Sequence, residues 1–283
     1  MTDFNNIFLL SDMDGTLINS KGQISNINKY ALTEFTKRGG TFAVATGRTL
    51  NSCKQYLSEL PINAPSIFYN GTILQNINNN IALKTLSLPT KLLFNFLQEC
   101  LIYCPNTCIE LHTKDTFYII TPEEFDDPVI KRENLSFTRS NLVDLYNLDI
   151  LKVQFYTTNI HTISWLHKFA KYMEMDKIAK YFTSWSSYFE LIPKNASKGI
   201  MLENLRQMPR YKNKIFIAVG DFNNDIEMLL FADYGIAAQN ATQKLKQVAD
   251  IIGVSCDEHL LSHVINNIIP NLDKLMITNL QTA

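Results

Sequence analysis

Two aspartates separated by one residue stand in the string Asp12-Met13-Asp14-Gly15-Thr16-Leu17, directly behind the apolar run Ile7 to Ser11. On a loop leaving a strand, two carboxylates so spaced can point into one site, and Gly15 permits the sharp exit. An Asp-Gly turn explains the pair alone equally well, but it does not call for the whole string after an apolar strand. A second segment, Thr46-Gly47-Arg48, follows the run Thr41 to Ala45. A threonine hydroxyl and main-chain N–H groups at a helix start suit a phosphate oxygen, although a helix cap is the ordinary alternative. Lys198 opens a further helical stretch, where a lysine by itself is usually a solvated side chain. The fourth segment, Gly220-Asp221-Phe222-Asn223-Asn224-Asp225, follows the strand-like run Lys214 to Val219. Asp221 and Asp225 lie four apart, so at a helix start they share a face. Hard oxygen ligands of this kind suit magnesium. The competing explanation, an acidic cap favoured by the helix dipole, accounts for one of the two aspartates.

The elements around these segments place all four on one edge of a sheet. Ile7 to Ser11 reads as a buried parallel strand. Ser25 to Arg38 carries Ile27, Ala31, Leu32 and Phe35 at helical spacing, with Ser25 as N-cap and Gly39-Gly40 as the stop. Thr41 to Ala45 reads as a strand, Leu50 to Leu60 as a helix closed by Pro61, and Ser66 to Tyr69 as a strand ended by Asn70-Gly71. The alternation predicts a doubly wound parallel sheet, in which ligands gather at the carboxyl ends of the strands. From about Lys84 to Phe189 the pattern changes to helices followed by β-rich stretches, as in a separate α+β domain. The asparagine cluster Asn76 to Asn80 reads as a hairpin turn before it, and Pro193 to Ala196 as the return linker. The first pattern then resumes: helix Lys198 to Gln207, strand Lys214 to Val219, helix Ile226 to Phe231, strand Tyr234 to Ala238, helix Thr242 to Val248. The prediction is therefore an α/β core, residues 1–83 and 194–283, interrupted by an α+β insert over 84–193.

Bulk properties narrow the function. The chain has 283 residues, is 46% hydrophobic and 19% charged, and carries a net charge of -1. A core can be filled, and no long-range field draws the chain to nucleic acid or an anionic membrane. No basic stripe or aromatic stacking motif favours nucleic acid. No segment approaches the roughly 20 apolar residues of a spanning helix, and no signal-like start is present. The expectation is a soluble, cytoplasmic protein, monomeric or weakly homo-oligomeric. Cys100, Cys104 and Cys108 sit four apart, but Pro105 should break any helix aligning them. Cys100 reads as a packing residue in a helix from Lys91 to Leu101.

Taken in order, the four segments resemble the motifs of the haloacid dehalogenase superfamily of phosphohydrolases. The Cof-type, subfamily IIB group fits best, because its large α/β cap lies between the second and third motifs, as the insert here lies between Thr46 and Lys198. The GDxxND form, Asn70-Gly71 and Ile226-Glu227-Met228 also look like this group; Thr72 departs from it, where alanine is frequent. The resemblance implies a Rossmann-like core with a C2-type cap that closes over the cleft and selects the substrate. It implies a magnesium-dependent phosphoric monoester hydrolase acting on a small phosphorylated metabolite such as a sugar phosphate. Asp12 would be the nucleophile, forming an aspartyl-phosphate, and Asp14 the general acid and base. Magnesium would be held by Asp12, the main-chain carbonyl of Asp14 and Asp221, with Asp225 beside it or acting through water. Thr46 and Lys198 would bind the transferring oxygens, with Gly47, Arg48 and Asn224 lining the phosphate site. Two other outcomes remain open at this point: a phosphotransferase or phosphosugar mutase using the same intermediate, and a non-catalytic module on the same fold.

Overall fold

The structure, a computed structural model, describes residues 3–184 and 186–272. The first strand, β1 (Ile7–Ser11), is buried at every position, as expected for a parallel strand covered on both faces. Helix α1 (Asn26–Lys37) begins where the Ser25 hydroxyl accepts the Asn28 N–H, and ends before Gly39, which adopts φ +86°. Ala31, Leu32 and Phe35 face the core as the spacing predicts, but Ile27 is half-exposed and Asn28 is buried in its place. The Asn28 side-chain oxygen accepts the main-chain N–H of Ser262 (3.0 Å), tying α1 to the carboxyl-terminal helical stretch. Strand β2 (Thr41–Val44) leads to α2 (Leu50–Leu57), which stops three residues before the predicted end. Glu59 and Leu60 donate to the carbonyls three residues back, so the last turn tightens before Pro61. Strand β3 (Ser66–Phe68) meets β2 through a single parallel bridge, Ala45 to Ile67, and pairs antiparallel with β4 (Ile73–Asn76), which is followed by β5 (Ile81–Thr85).

The insert contains α3 (Thr90–Tyr103), β6 (Cys108–His112), β7 (Phe117–Ile119), α4 (Pro128–Arg132), β8 (Thr138–Arg139), β9 (Lys152–Tyr156), α5 (Ile160–Tyr172), β10 (Ala179–Ser184) and β11 (Tyr188–Pro193). Its six strands run in the order β10-β11-β9-β6-β7-β8. Strand alternation gives this sheet two unlike faces. Ile109, Leu111, Val153, Phe155, Phe189 and Leu191 pack into one apolar cluster with Leu93, Phe96 and Leu97 of α3 and Ile163, Leu166 and Ala170 of α5. The opposite face carries Glu110, His112, Lys152, Gln154 and Glu190, with Lys152 paired to Glu190 at 2.7 Å.

The chain then returns through α6 (Lys198–Arg206), β12 (Ile215–Gly220), α7 (Ile226–Phe231), β13 (Tyr234–Ala237), α8 (Gln243–Val248), β14 (Ile251–Ile252) and α9 (Leu260–His263). The core sheet is parallel throughout, in the order β14-β13-β12-β1-β2. Close contacts divide the chain into one unit that runs to Leu83 and resumes at Ser197, and a second comprising Lys84–Ala196. The return falls at Ser197 rather than at residue 194. Lys194 donates to the Ile178 carbonyl and Ala196 to that of Pro193, which ties these residues to the insert. No helix among the described residues is long and apolar enough to cross a membrane.

Candidate active site

The carboxyl ends of β1, β2 and β12 converge because their registers are in step. Ser11 lies beside Val44 on one side and Val219 on the other. The next main-chain bonds, Asp12 N–H to Val219 O (2.9 Å) and Ala45 N–H to Ser11 O (2.8 Å), extend the ladder just past the strands. Asp12 and Thr46 are therefore delivered to adjacent strand ends, both buried. The Thr46 hydroxyl oxygen accepts the Arg48 main-chain N–H at 3.1 Å.

Lys198 is delivered by the first turn of α6. The Ser197 hydroxyl caps that helix by accepting the Ile200 N–H. The position of the turn is set by Gly71 (φ +91°). A Cβ on Gly71 would lie 2.1 Å from the Ser197 main-chain carbon and oxygen and 2.8 Å from the Lys198 nitrogen. Only glycine allows this close approach. The Lys198 side chain is fully buried, and its Nζ bridges Asp12 Oδ1 and Asp225 Oδ1, each at 2.6 Å.

The two aspartates of the fourth segment do not sit on one helix face as the spacing suggested. Asp221 lies in the loop after β12, and Asp225 ends the short turn ahead of α7. Asp225 Oδ2 accepts the main-chain N–H groups of Asp221 (3.0 Å) and Phe222 (3.1 Å). With Lys198 on its other oxygen, Asp225 folds the loop and anchors the lysine. Asp221 is held by the Thr16 hydroxyl on Oδ1 (3.0 Å), and its main-chain carbonyl accepts the Thr242 N–H (2.9 Å). Gly15 (φ +75°) lets the chain pass over it, since a Cβ there would stand 2.4 Å from Asp221 Oδ2.

Electrostatics separate these groups. Burial pushes the Asp12 carboxyl well above the ordinary aspartate range; Lys198 opposes this, while Asp225 and Asp221 add to it. Burial and then the charge of Asp225 push Asp221 up to about 6, against hydrogen bonding to Thr16 and Asp12 and the charge of Lys198. Burial works against the charge of Lys198, but Asp12 and Asp225 outweigh it and hold the ammonium above the usual lysine range. Oxygens of Asp12, Asp221 and Asp225 all lie within 4.8 Å of one another. Three carboxylates thus share one ammonium, and an all-oxygen donor set with this excess negative charge fits a hard divalent cation. Asp225 is the least available of the three, since both of its oxygens already accept donors. Among the described residues this is the only group of three or more potential ligand side chains. Cys100 lies in α3, Cys104 caps it, and Cys108 opens β6, so these cysteines pack rather than converge on an ion.

The remaining expected site residues form a second layer. Arg48 is directed at Asp14, donating from Nε to Oδ2 and from Nη2 to Oδ1, both at 2.7 Å. This hydrogen bonding raises the guanidinium further above its already high range. Asn224 Nδ2 donates to Asn70 Oδ1 (2.8 Å), and the Asn70 side chain lies against Gly47, where a Cβ would meet it at 2.9 Å. Asn70, in the left-handed region at φ 55°, donates its N–H to the Thr46 carbonyl (3.0 Å). Sequence reasoning assigned no site role to Asn70 or Thr16. Asn70 read as the end of a strand, yet an Asn-Gly pair beside a phosphate-type loop is the signal that could have marked it. For Thr16 the signal is a hydroxyl two residues past Asp14 on the same loop.

Over residues 9–265 the sequence matches the family model described as haloacid dehalogenase-like hydrolase. The putative phosphatase YxeH of Bacillus subtilis (strain 168) is 27% identical over 278 residues, covering 91% of this chain and 96% of that protein. The chloroplastic endoribonuclease YBEY of Arabidopsis thaliana is 29% identical over 275 residues; the match takes in 89% of this chain but 44% of that longer protein. Among solved structures, TM0651 from Thermotoga maritima shares the fold with a TM-score of 0.80 at 22% identity, over 93% of this chain and 97% of that one.

Proposed function

The chain belongs to the haloacid dehalogenase-like hydrolase family, and on that premise we propose that it is a magnesium-dependent phosphatase acting on a small phosphorylated metabolite through an aspartyl-phosphate at Asp12. The observation that carries this reading is the fully buried Lys198 bridging Asp12 and Asp225 at 2.6 Å, with Asp221 beside them. A lysine held in that position is expensive to bury unless its charge is used. The relative in Bacillus subtilis described as a putative phosphatase supports the same reaction class.

Asp12 attacks phosphorus through a carboxylate oxygen, and the bond from phosphorus to the leaving oxygen breaks. Asp14 gives its proton to that departing oxygen. Water then attacks the aspartyl-phosphate and passes a proton to Asp14, which releases inorganic phosphate and restores the Asp12 carboxylate. Lys198 opposes the burial that disfavours the charge on Asp12, and it and the Thr46 hydroxyl would bind phosphoryl oxygens. Positioning and charge neutralisation supply most of what phosphoryl transfer needs. Asp12, Asp221 and the Asp14 carbonyl would hold the magnesium, with Asp225 acting chiefly through the loop and Lys198. When bound, the ion offsets the surplus carboxylate charge, so that an anionic phosphate and an anionic nucleophile can meet.

The test is phosphate release by the purified protein against a panel of phosphorylated metabolites, with magnesium and with EDTA. Metal-dependent release that disappears in Asp12→Asn is the expected result. Release that survives Asp12→Asn would overturn the nucleophile assignment, and phosphate recovered on a second hydroxyl compound would mark a phosphotransferase instead.

A further inference from the structure

The two carboxylates of the first motif are paired with different cations. Asp12 has Lys198, buried beneath it. Asp14 has Arg48, in a half-exposed pair. The second pair is bidentate: two parallel N–H donors from one guanidinium edge meet both carboxylate oxygens, a geometry that fixes the plane of the carboxyl group. Arg48 is itself held from several directions. Its main-chain N–H donates to Thr46 Oγ1, and its carbonyl accepts the Tyr69 N–H (3.1 Å). Its guanidinium lies over the Tyr56 ring of α2, 5.3 Å from the centroid. The Tyr56 hydroxyl in turn donates to the Gly22 carbonyl (3.2 Å), on the loop that follows the first motif.

A ligand of the transferring phosphoryl group would aim its donors at the buried ground between Asp12 and Lys198. The Arg48 fork is committed instead to Asp14, and a planar, stacked guanidinium is poorly suited to moving from one partner to the other. We propose that Arg48 is a positioning residue for Asp14, fixing the carboxyl group that exchanges a proton with the leaving oxygen, and does not bind the transferring phosphoryl group. The proposal rests on the phosphatase reading of the site. It extends the shared sequence motif to a division of labour: Thr46 serves the phosphoryl oxygens, and Arg48, two residues on, serves the acid.

The consequence is specific to the leaving group. Misplacing a general acid by a fraction of an ångström should cost turnover only where the departing oxygen needs a proton. With an alkyl phosphate, Arg48→Gln should lower kcat about tenfold and leave KM within about twofold. With p-nitrophenyl phosphate, whose leaving group departs as a stable anion, kcat should fall less than about threefold. In an Asp14→Asn background, Arg48→Gln should have no further effect on the alkyl ester. Arg48→Lys, which keeps the charge and loses the fork, should behave like Arg48→Gln.

The experiment is this kinetic cycle together with calorimetric titration of the magnesium-loaded proteins with inorganic phosphate. Phosphate affinity unchanged within about twofold in Arg48→Gln supports the proposal and shows that the variant is folded. Phosphate binding weakened tenfold or more, equal losses on both esters, or losses that multiply in the double variant would each overturn it. If the wild-type protein binds phosphate but turns over neither ester, the phosphatase reading fails. The urea midpoints of the same four proteins then test the pairing by themselves, and additive shifts would overturn it.

Discussion

Gly71 and Lys198 are in backbone contact across 127 residues of sequence: a Cβ on Gly71 would stand 2.8 Å from the Lys198 nitrogen and 2.1 Å from the Ser197 carbonyl. The loop after β3 is thus the floor on which the first turn of α6 rests, and that turn carries the buried ammonium. Gly71→Ala combines a φ of +91° with a clash against main-chain atoms, which cannot swing aside as a side chain would. The expected cost is about 2–5 kcal/mol of unfolding free energy, from backbone strain and overpacking together. Turnover should fall more than stability suggests, because the displaced element is the one that aims Lys198 at Asp12. Urea unfolding and kcat on the same preparation check this; a variant within 1 kcal/mol of the parent and fully active would show that α6 is not seated on Gly71.

Removing the ammonium itself should have a different signature. Lys198→Met fills similar volume with an apolar chain but leaves Asp12 and Asp225 buried without a cation between them. Breaking a buried ion pair from one side typically costs about 3–5 kcal/mol. The protein can recover part of this by taking up protons or a divalent ion. The unfolding midpoint of Lys198→Met should therefore respond to magnesium more strongly than that of the wild type, while activity is lost. Equal magnesium responses would mean that Lys198 and the ion do not share a charge balance.

Asp221 and Asp225 look alike in the sequence and should be unlike in solution. Asp225 accepts two loop N–H groups and the lysine, so Asp225→Asn should destabilise the apo protein by about 1–3 kcal/mol for its impaired hydrogen bonds. Asp221 spends fewer bonds on the fold, so Asp221→Asn should leave the apo protein near wild-type stability and abolish the magnesium-dependent rise in Tm. The pH dependence of the apo protein follows from the same residue. The folded-state value of about 6 lies above the ordinary aspartate value of 3.8. The folded protein therefore binds more protons between these values, and stability is lost as pH rises from about 4 through about 6. Burial raises Asp12 in the same direction, so Asp221→Asn should make that limb shallower in EDTA without removing it. A limb of unchanged slope in Asp221→Asn would assign it wholly to other groups.

The core sheet and the four motifs were legible because each is written locally. β1 and β12 are uninterrupted apolar runs, and the polar strings follow directly at their ends. Asp12 and Thr46 come to adjacent strand ends because β1 and β2 are neighbours, and the alternation of strands and helices predicts that much, whereas Lys198 is placed by the first turn of α6 against Gly71. What the sequence did not give away are the relationships set by tertiary partners. Asn28 takes a buried position on α1 ahead of Ile27 because Ser262 offers it an N–H, 234 residues on. Arg48 read as a phosphate ligand by its place after Thr46, and only the position of Asp14 in space shows where its fork is committed. Strands β6 and β10 of the insert are harder to read singly. Ile109-Glu110-Leu111-His112 alternates as a half-buried strand does, but the run is short and its polar face is as buried as its apolar one. β10 is partly exposed along its length and shows no such alternation.

That charged face supplies a last expectation. Lys152 and Glu190 lie on neighbouring strands of the insert, displaced diagonally from the directly opposed pair Gln154–Glu190, and their side chains are less than one-tenth exposed. Glu190 also accepts the Ser184 hydroxyl, so its oxygens are engaged on two sides. Glu190→Leu leaves the Lys152 ammonium buried and unpaired, and should cost about 3–5 kcal/mol. The double variant Lys152→Met/Glu190→Leu removes both charges and should recover most of that loss, because an apolar pair of similar volume carries no desolvation penalty. The unfolding free energies of the two single variants and the double variant decide the matter. A double variant as unstable as the sum of the singles would show that each charge is held by other neighbours, and that the pair is incidental to the sheet.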